Sequence, residues 1–329
     1  QGLAGTTLAW EAYRRGLDFQ VVERGSGPTA SGVAAGLVTP VTGRRLVKNP
    51  HLDLWFPVMQ ELYALAGEVL GQAFFKTDSV VRLLNHEEES DRWATRAPEM
   101  EREWRAPERP LPPELVAERE VLEWVRSGWL DVPAFLERTR LWLRHTNRFV
   151  EREWFAEDPP GPFSEVVFCQ GYQREAPNPY FDWVPFRPAR GELLTVALPG
   201  YTERRTINAH GVWLKPHAEE GELYRLGATY DWSVDRPETT ARGRADLEER
   251  FRKFYKGPYQ VVEHLAGVRP VIQGRQVLIG RHPSHSQLSF FNGLGSKGVL
   301  EAPWFAGCLL DHLQHDLPLP EENNVRKNL

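Results

Sequence analysis

Leu3, Leu8, Ala12 and Tyr13 recur at helical spacing, and Gly16 follows where a C-terminal turn would close the helix, so residues 3–15 read as a helix. FQVVE (19–23) predicts a short strand buried on both faces. The loop after it, GSGPTASGVAAGLVTPVTGRR (25–45), is built from small residues that let backbone approach a ligand closely. Helical patterns cover 51–72 and 238–256. The amphipathic stretch DVPAFLERTRLWLRHT (131–146) adds Asp131 as N-cap and Pro133 in the first turn. EVVFCQG (165–171) is a buried strand ending at glycine. GELLTVAL (191–198), GVWLKPHA (211–218) and LYRLGATYDW (223–232) alternate between short polar turns and predict an antiparallel sheet. Residues 85–120 carry charges of both signs broken by prolines, which predicts a solvated cap of short helices. Towards the end, 264–283 leads into LSFFNGLGSKGVLEAPWFAGCLLDHLQ (288–314), read as a strand, a glycine-rich turn and a helix. The tail EENNVRKNL (321–329) reads as disordered.

With 329 residues the chain can build two domains around a substantial core. The formal net charge of −5 supplies no overall attraction to phosphate backbones or anionic lipid. Cys169 and Cys308 are the only cysteines; they exclude a disulfide framework, read as core filler and fit a reducing, cytoplasmic setting. No apolar run is long enough to span a bilayer, and no signal peptide is visible. The twelve tryptophans come without a basic stripe, so packing explains them better than base stacking. His282, His285, His312 and His315 lack metal-site spacing and read as surface residues. There is no G-x-S-x-G elbow or cysteine–histidine pairing.

Gly2 and Gly5 open the first helix in the manner of the later glycines of G-x-G-x-x-G. Glu23 ends the following strand about twenty positions on, where an acid accepts from a ribose diol. A helix N-terminus there would face a pyrophosphate. Nicotinamide and flavin enzymes share such a finger, and the C-terminal turn separates them. In FFNGLGSKGVLEAP, Gly293, Gly295 and Gly298 surround Ser296 and Lys297 ahead of a helix. Backbone N–H groups, a helix dipole and a lysine suit a reduced flavin, which carries negative charge near N1 and O2.

Four blocks together resemble the FAD-dependent oxidoreductases of the D-amino acid oxidase superfamily, in particular its glycine oxidase and sarcosine oxidase branch. They are GLAG…VVERG (2–25), ASGVAAGLVTP (30–40), VVFCQG (166–171) and AGVRP…GRQVLIG…GLGSKGVLEAP (266–303). The resemblance spans essentially the whole chain. It implies an α/β fold in which a Rossmann-like (GR2-type) FAD-binding domain carries a second, antiparallel-sheet substrate domain. The expected divisions are 1–75, 128–185 and 265–329 for a discontinuous FAD domain, and 76–127 with 186–264 for the substrate domain.

The resemblance also implies roles. Gly2, Leu3 and Gly5 would line the pyrophosphate, with Val22, Glu23 and Arg24 at the adenosine ribose. Ala30, Ser31, Ala35, Gly36 and Leu37 would run beneath the flavin and its phosphates, and Gly171 would end the strand under the cofactor. Gly293, Gly295, Ser296, Lys297, Gly298 and Val299 would wrap the isoalloxazine edge. Arg269 matches the arginine that binds the substrate carboxylate in amino-acid-oxidising relatives, a task suited to its planar fork. Tyr230 is a further candidate for the substrate pocket. Lys297 stands where the family commonly has arginine, keeping the charge without the fork.

The function so implied is oxidation of a small amine or amino acid by hydride transfer to flavin N5, with electrons passing to O2 or another acceptor. No protein base is required for it. Two other readings accompany it: a flavin oxidase acting on a modified tRNA base, against which the acidic balance counts, and a non-catalytic relative of the fold. The half-motif at Gly2 further predicts that Gln1 is not the natural start and that roughly 5–12 residues, an apolar strand ending in glycine, precede it.

Overall fold

The structure is a computed structural model and describes residues 1–25, 29–43, 45–154, 163–173, 178–217 and 221–328. Helix α1 (Leu3–Arg14) starts at Gly2, whose backbone is extended, and closes through Gly16 in the left-handed conformation at φ +68°. Its apolar side packs on α6 (Gly298–His315), and α2 (Leu52–Leu70) packs on α6 in turn. With α4 (Val132–His145) these helices bury Trp10, Leu52, Met59, Tyr63, Phe135, Phe305 and Leu309 in one core. Asp131 caps α4, its carboxylate accepting from the Ala134 N–H at 3.2 Å. Two small sheets flank the helices. Val21–Glu23 pairs in parallel with Phe149–Glu151. Val166–Phe168 pairs in parallel with Leu288–Asn292, which pairs antiparallel with Leu278–Arg281.

The second half of the molecule is an eight-stranded mixed sheet. Its order is Gln260–Arg269, Ala189–Ala197, Leu223–Gly227, Val212–Pro216, Thr206–Ala209, Val80–Leu83, Val121–Trp124 and Trp104–Arg105. Every neighbouring pair is antiparallel except Thr206–Ala209 with Val80–Leu83, which is parallel, so the expected antiparallel sheet is a mixed one. Strand alternation sends Leu194, Val196, Ile207, Leu214 and Leu226 to one face, where α5 (Ala241–Phe254) covers them with Leu247, Phe251 and Phe254. The opposite face turns toward the helices. The expected boundary at 265 falls inside the strand Gln260–Arg269, which runs from the sheet toward the helical half.

Two regions differ from the sequence reading. The charged segment 85–120 holds a single α-helix, α3 (Glu87–Arg96), followed by a 3-10 turn and an edge strand. It is not simply a solvated cap: Trp93 and Met100 reach into a core with Val80 and Trp124, and Glu89 is buried in a bond to Arg82. The tail is ordered through Asn328, because Val325 is fully buried beside Leu278 and Phe290, and the Asn323 amide donates to the Val277 carbonyl at 2.8 Å. With the Ile279–Asn324 bridge and Arg326 donating to the Arg281 carbonyl at 3.2 Å, these contacts anchor a stretch whose composition reads as solvated. Among the described residues no helix is long and apolar enough to cross a membrane.

Candidate functional site

A cavity of about 2050 Å³ lies between the two small sheets and the open face of the large one. Val21, Val22 and Glu23 line it from one small sheet, and Val166, Val167 and Phe168 from the other. The N-terminus of α1 opens into it. The Leu3 N–H donates to Ser31 Oγ at 3.1 Å, tying the first helical turn to the loop at 30–37. Gly5 lies against Cys169, where an added Cβ would come within 3.4 Å of the cysteine Cβ. The Glu23 carboxylate accepts from Arg140 at 3.1 Å through each oxygen. Arg24, exposed, reaches Gln173 at 3.3 Å.

The loop Ala30–Leu37 crosses the cavity wall in a fixed shape. Gly36 sits at φ +72° with its carbonyl accepting from the Leu130 N–H at 3.0 Å, and a Cβ there would fall 1.9 Å from the Leu130 oxygen. Only glycine fits. Across the cavity Gly171, at φ +66°, offers its carbonyl to Asn292 Nδ2 at 2.8 Å, and Asn292 Oδ1 accepts from the Gly293 N–H at 2.9 Å. One asparagine thus couples the strand end at 171 to the turn at 293–298. In that turn Gly293 and Gly295 take positive φ, Ser296 and Lys297 are exposed toward the cavity, and Lys297 is the N-cap of α6. Gly298 packs on Leu3, joining the starts of α6 and α1, and the Val299 carbonyl accepts from the buried Tyr63 hydroxyl at 2.9 Å. Two helix N-termini therefore present unpaired N–H groups to one space.

Arg269 enters from the large sheet. Its guanidinium lies across Gly191, where an added Cβ would stand 2.3 Å from either terminal nitrogen, and it stacks on the Tyr230 ring at 4.5 Å. Both terminal nitrogens donate to the Thr229 carbonyl at 3.3 Å, and no acidic side chain pairs with Arg269 among the described residues. Burial pulls this guanidinium below its usual pKa, with Tyr230 opposing. A desolvated arginine whose fork meets one backbone carbonyl and no carboxylate among the described residues is a site for an anion.

Every sequence-predicted site residue, from Gly2 to Val299 and including Arg269 and Tyr230, lines this cavity. Sequence reasoning missed others. Glu301, one turn into α6, lines it too; burial pushes its carboxyl up to about 7, and Lys297 pulls the other way. Gly191, Trp213, Asn49 and Asn208 also line it, and nothing local in the sequence marks them. Both cysteines are half-buried, and burial pushes Cys169 up to about 12 and Cys308 up to about 11, which disfavours the reactive thiolate. His282 is not a surface residue; it is buried, and its Nδ1 accepts from the Ser284 and His285 N–H groups at 3.0 Å. Among the described residues no cluster of histidine, cysteine and carboxylates could hold a metal.

Residues 1–312 match the family of FAD dependent oxidoreductases (DAO), and the chain belongs to it. It is therefore an FAD-dependent oxidoreductase. A putative thiamine biosynthesis oxidoreductase, ThiO, from Rhizobium etli is 27% identical, covering 97% of this chain and 96% of its own. The bifunctional tRNA 5-methylaminomethyl-2-thiouridine biosynthesis protein MnmC of Marinobacter nauticus is 25% identical over 95% of this chain, which spans 54% of that protein. Among solved structures, glycine oxidase from Bacillus cereus superposes with a TM-score of 0.79 at 19% identity, over 95% of this chain and 96% of that one. Iminodiacetate oxidase from Chelativorans sp. superposes at 0.76 with 20% identity, over 98% and 96%. These similarities show the fold, and the cavity fits the dinucleotide the family uses. The α1 N-terminus suits its phosphates, the α6 N-terminus suits an electron-rich ring edge, a carboxylate stands at the end of Val21–Glu23, and glycines stand where side chains would fill the cradle.

Proposed function

We propose that the enzyme oxidises a small amine or amino acid whose carboxylate is held by Arg269. The observation that carries this reading is a guanidinium bonded to one backbone carbonyl and to no acid among the described residues, half-buried in the cavity wall and held flat on Gly191. FAD, when bound, would supply the electron sink for hydride from the carbon that bears the amine, with O2 or another acceptor as the final oxidant. The chain's own part is positioning. Gly2, Leu3 and Gly5 would hold the pyrophosphate, Glu23 the ribose, and the Ala30–Leu37 loop the underside of the flavin. The Gly293–Val299 turn and Lys297 would meet the pyrimidine edge, where negative charge gathers on reduction. Tyr230, stacked on Arg269, fixes the guanidinium plane and closes one side of the substrate pocket. Names of similar proteins that oxidise glycine and iminodiacetate support this substrate class.

The test is anaerobic addition of an amine panel to the FAD-loaded protein. Small α-amino acids should bleach the flavin band and yield a carbonyl compound with ammonia or a free amine, and amines without a carboxylate should react about 100-fold more slowly. A flavin that no amine bleaches would refute the reading. The similarity to one half of MnmC keeps a second reading in view, a modified tRNA base as substrate; retention of tRNA on a filter at low salt would favour it.

A further inference from the structure

The open face of the large sheet carries a polar feature that carboxylate anchoring at Arg269 does not use. Leu193, Gly227, Trp213 and Asn208 stand in one hydrogen-bonded row across four strands. Directly opposed residues share a face, and Leu193, Trp213 and Asn208 all line the cavity. The row begins two residues along the strand from Gly191, over which Arg269 lies, and ends at Asn208 three strand spacings away, about 14 Å.

Two amides that line the cavity, one of them at that far end, are locked in the same sense. Asn208 Oδ1 accepts from Arg82 Nη1, and Arg82 Nη2 donates to Glu89 at 2.9 Å. Glu89 in turn accepts from the Asn85 N–H at 3.0 Å, and Arg82, Asn85 and Glu89 are all buried. Arginine only donates, so the oxygen of Asn208 must face Arg82 and its NH2 must face away. Asn49, also buried, has its Oδ1 committed to the His51 N–H at 3.0 Å. Neither Nδ2 has a partner among the described residues, and both asparagines line the cavity. Asn49 follows the hairpin at 41–48, whose Val41 and Leu46 pack with Val80, one strand over from Asn208. The half-buried Trp213 indole lies between this end and Gly191, covering Gly227.

We propose that Asn208 and Asn49 form a second recognition point, which reads a carbonyl or carboxylate oxygen at the end of the substrate away from Arg269. The substrate is then not glycine itself but an amino acid with an extended arm ending in such an oxygen, its apolar middle lying along Trp213. Two amides offering only donors select for an acceptor. An arm ending in a methyl group would strand both NH2 groups.

This inference rests on the amine-oxidase reading, and one experiment separates the two. Anaerobic flavin reduction is measured with straight-chain α-amino acids of increasing length, each ending either in a carboxylate or in a methyl group. The expected result is an optimum at an intermediate length, where the carboxylate-ended member exceeds its methyl-ended partner by about 10- to 100-fold in rate per concentration. Asn208→Leu should bring that ratio close to one. Asn208→Asp, which keeps the bond to Arg82 but turns an oxygen to the cavity, should push it below one. Binding of saturated dicarboxylates, followed by the shift of the flavin spectrum, should weaken in parallel in both variants. A wild-type ratio near one at every length overturns the inference while leaving amine oxidation intact, and it needs no variant to fold. A flavin reduced by none of the series overturns both.

Discussion

Gly36→Ala isolates how much the cavity depends on one missing side chain. The new Cβ would stand 1.9 Å from the Leu130 carbonyl oxygen and 3.0 Å from its carbon. Carbon and oxygen settle at about 3.3 Å or more, so the loop must retreat by more than an ångström from the strand Gly128–Leu130. That retreat breaks the Leu130 N–H bond to the Gly36 carbonyl, now 3.0 Å, at a cost of about 1 kcal/mol. The left-handed backbone at φ +72° adds about 1–2 kcal/mol once a Cβ is present. The sum is about 2–3 kcal/mol. Gly200→Ala is the matched control: φ is +73°, but no atom lies within 4 Å of the added Cβ, so only the backbone term remains. At roughly 2–3 °C per kcal/mol for a chain of this size, Gly36→Ala should lower the melting midpoint by about 4–9 °C and Gly200→Ala by about 2–6 °C, always the smaller shift of the two. Calorimetry measures both, and flavin fluorescence quenching measures FAD affinity, which should fall only for Gly36→Ala. Equal melting shifts with unchanged FAD affinity would refute the claim that close approach, rather than φ alone, requires glycine here.

Arg269→Met should lower kcat/KM for α-amino acids by about 100-fold or more, about 3 kcal/mol, and spare amines without a carboxylate; equal losses on both would remove Arg269 from carboxylate binding. Gly191→Ala should lift the guanidinium off the strand and raise KM well before it lowers kcat, which steady-state kinetics reads directly. Lys215 is buried over the Trp129 ring at 3.6 Å, and burial, joined by Arg225 and Lys76 and opposed by Asp131, pulls its pKa down to about 7. Between about pH 7 and 10 the unfolded chain holds this proton and the folded one does not, so the group makes stability rise with pH. Lys215→Met should flatten that rise and stabilise the protein by about 1–3 kcal/mol at neutral pH, as denaturant titrations at several pH values would show. Cys169 and Cys308 should resist maleimide in the native protein at pH 8 and react once it is unfolded; rapid native labelling would contradict their raised pKa values.

The sequence is informative where chemistry is local. The α4 cap, the glycine stop of α1 and the glycine-rich turn before α6 are set by neighbours in the chain, and each is visible as a motif. What stayed hidden depends on chain segments far apart. Asn208 matters through Arg82, 126 positions away, and that pairing exists only because two strands run in parallel across the sheet. Gly191 looks like an ordinary strand glycine until Arg269 is laid on it. The tail misled because composition averages over residues, whereas one buried valine and a few bonds to a distant strand hold a short segment down. Residues 85–120 misled similarly: charge suggests solvent, but Glu89 and Arg82 are buried as a pair.

The eight-stranded sheet keeps its α5 core on one face and its cavity residues on the other. Substitutions at Trp213 or Asn208 therefore touch none of the packing that Leu194, Leu214, Leu226 and Phe251 supply. A lineage built on this layout can try new substrates without disturbing the α5 core, because the face that chooses the substrate is not the face that holds the sheet against α5.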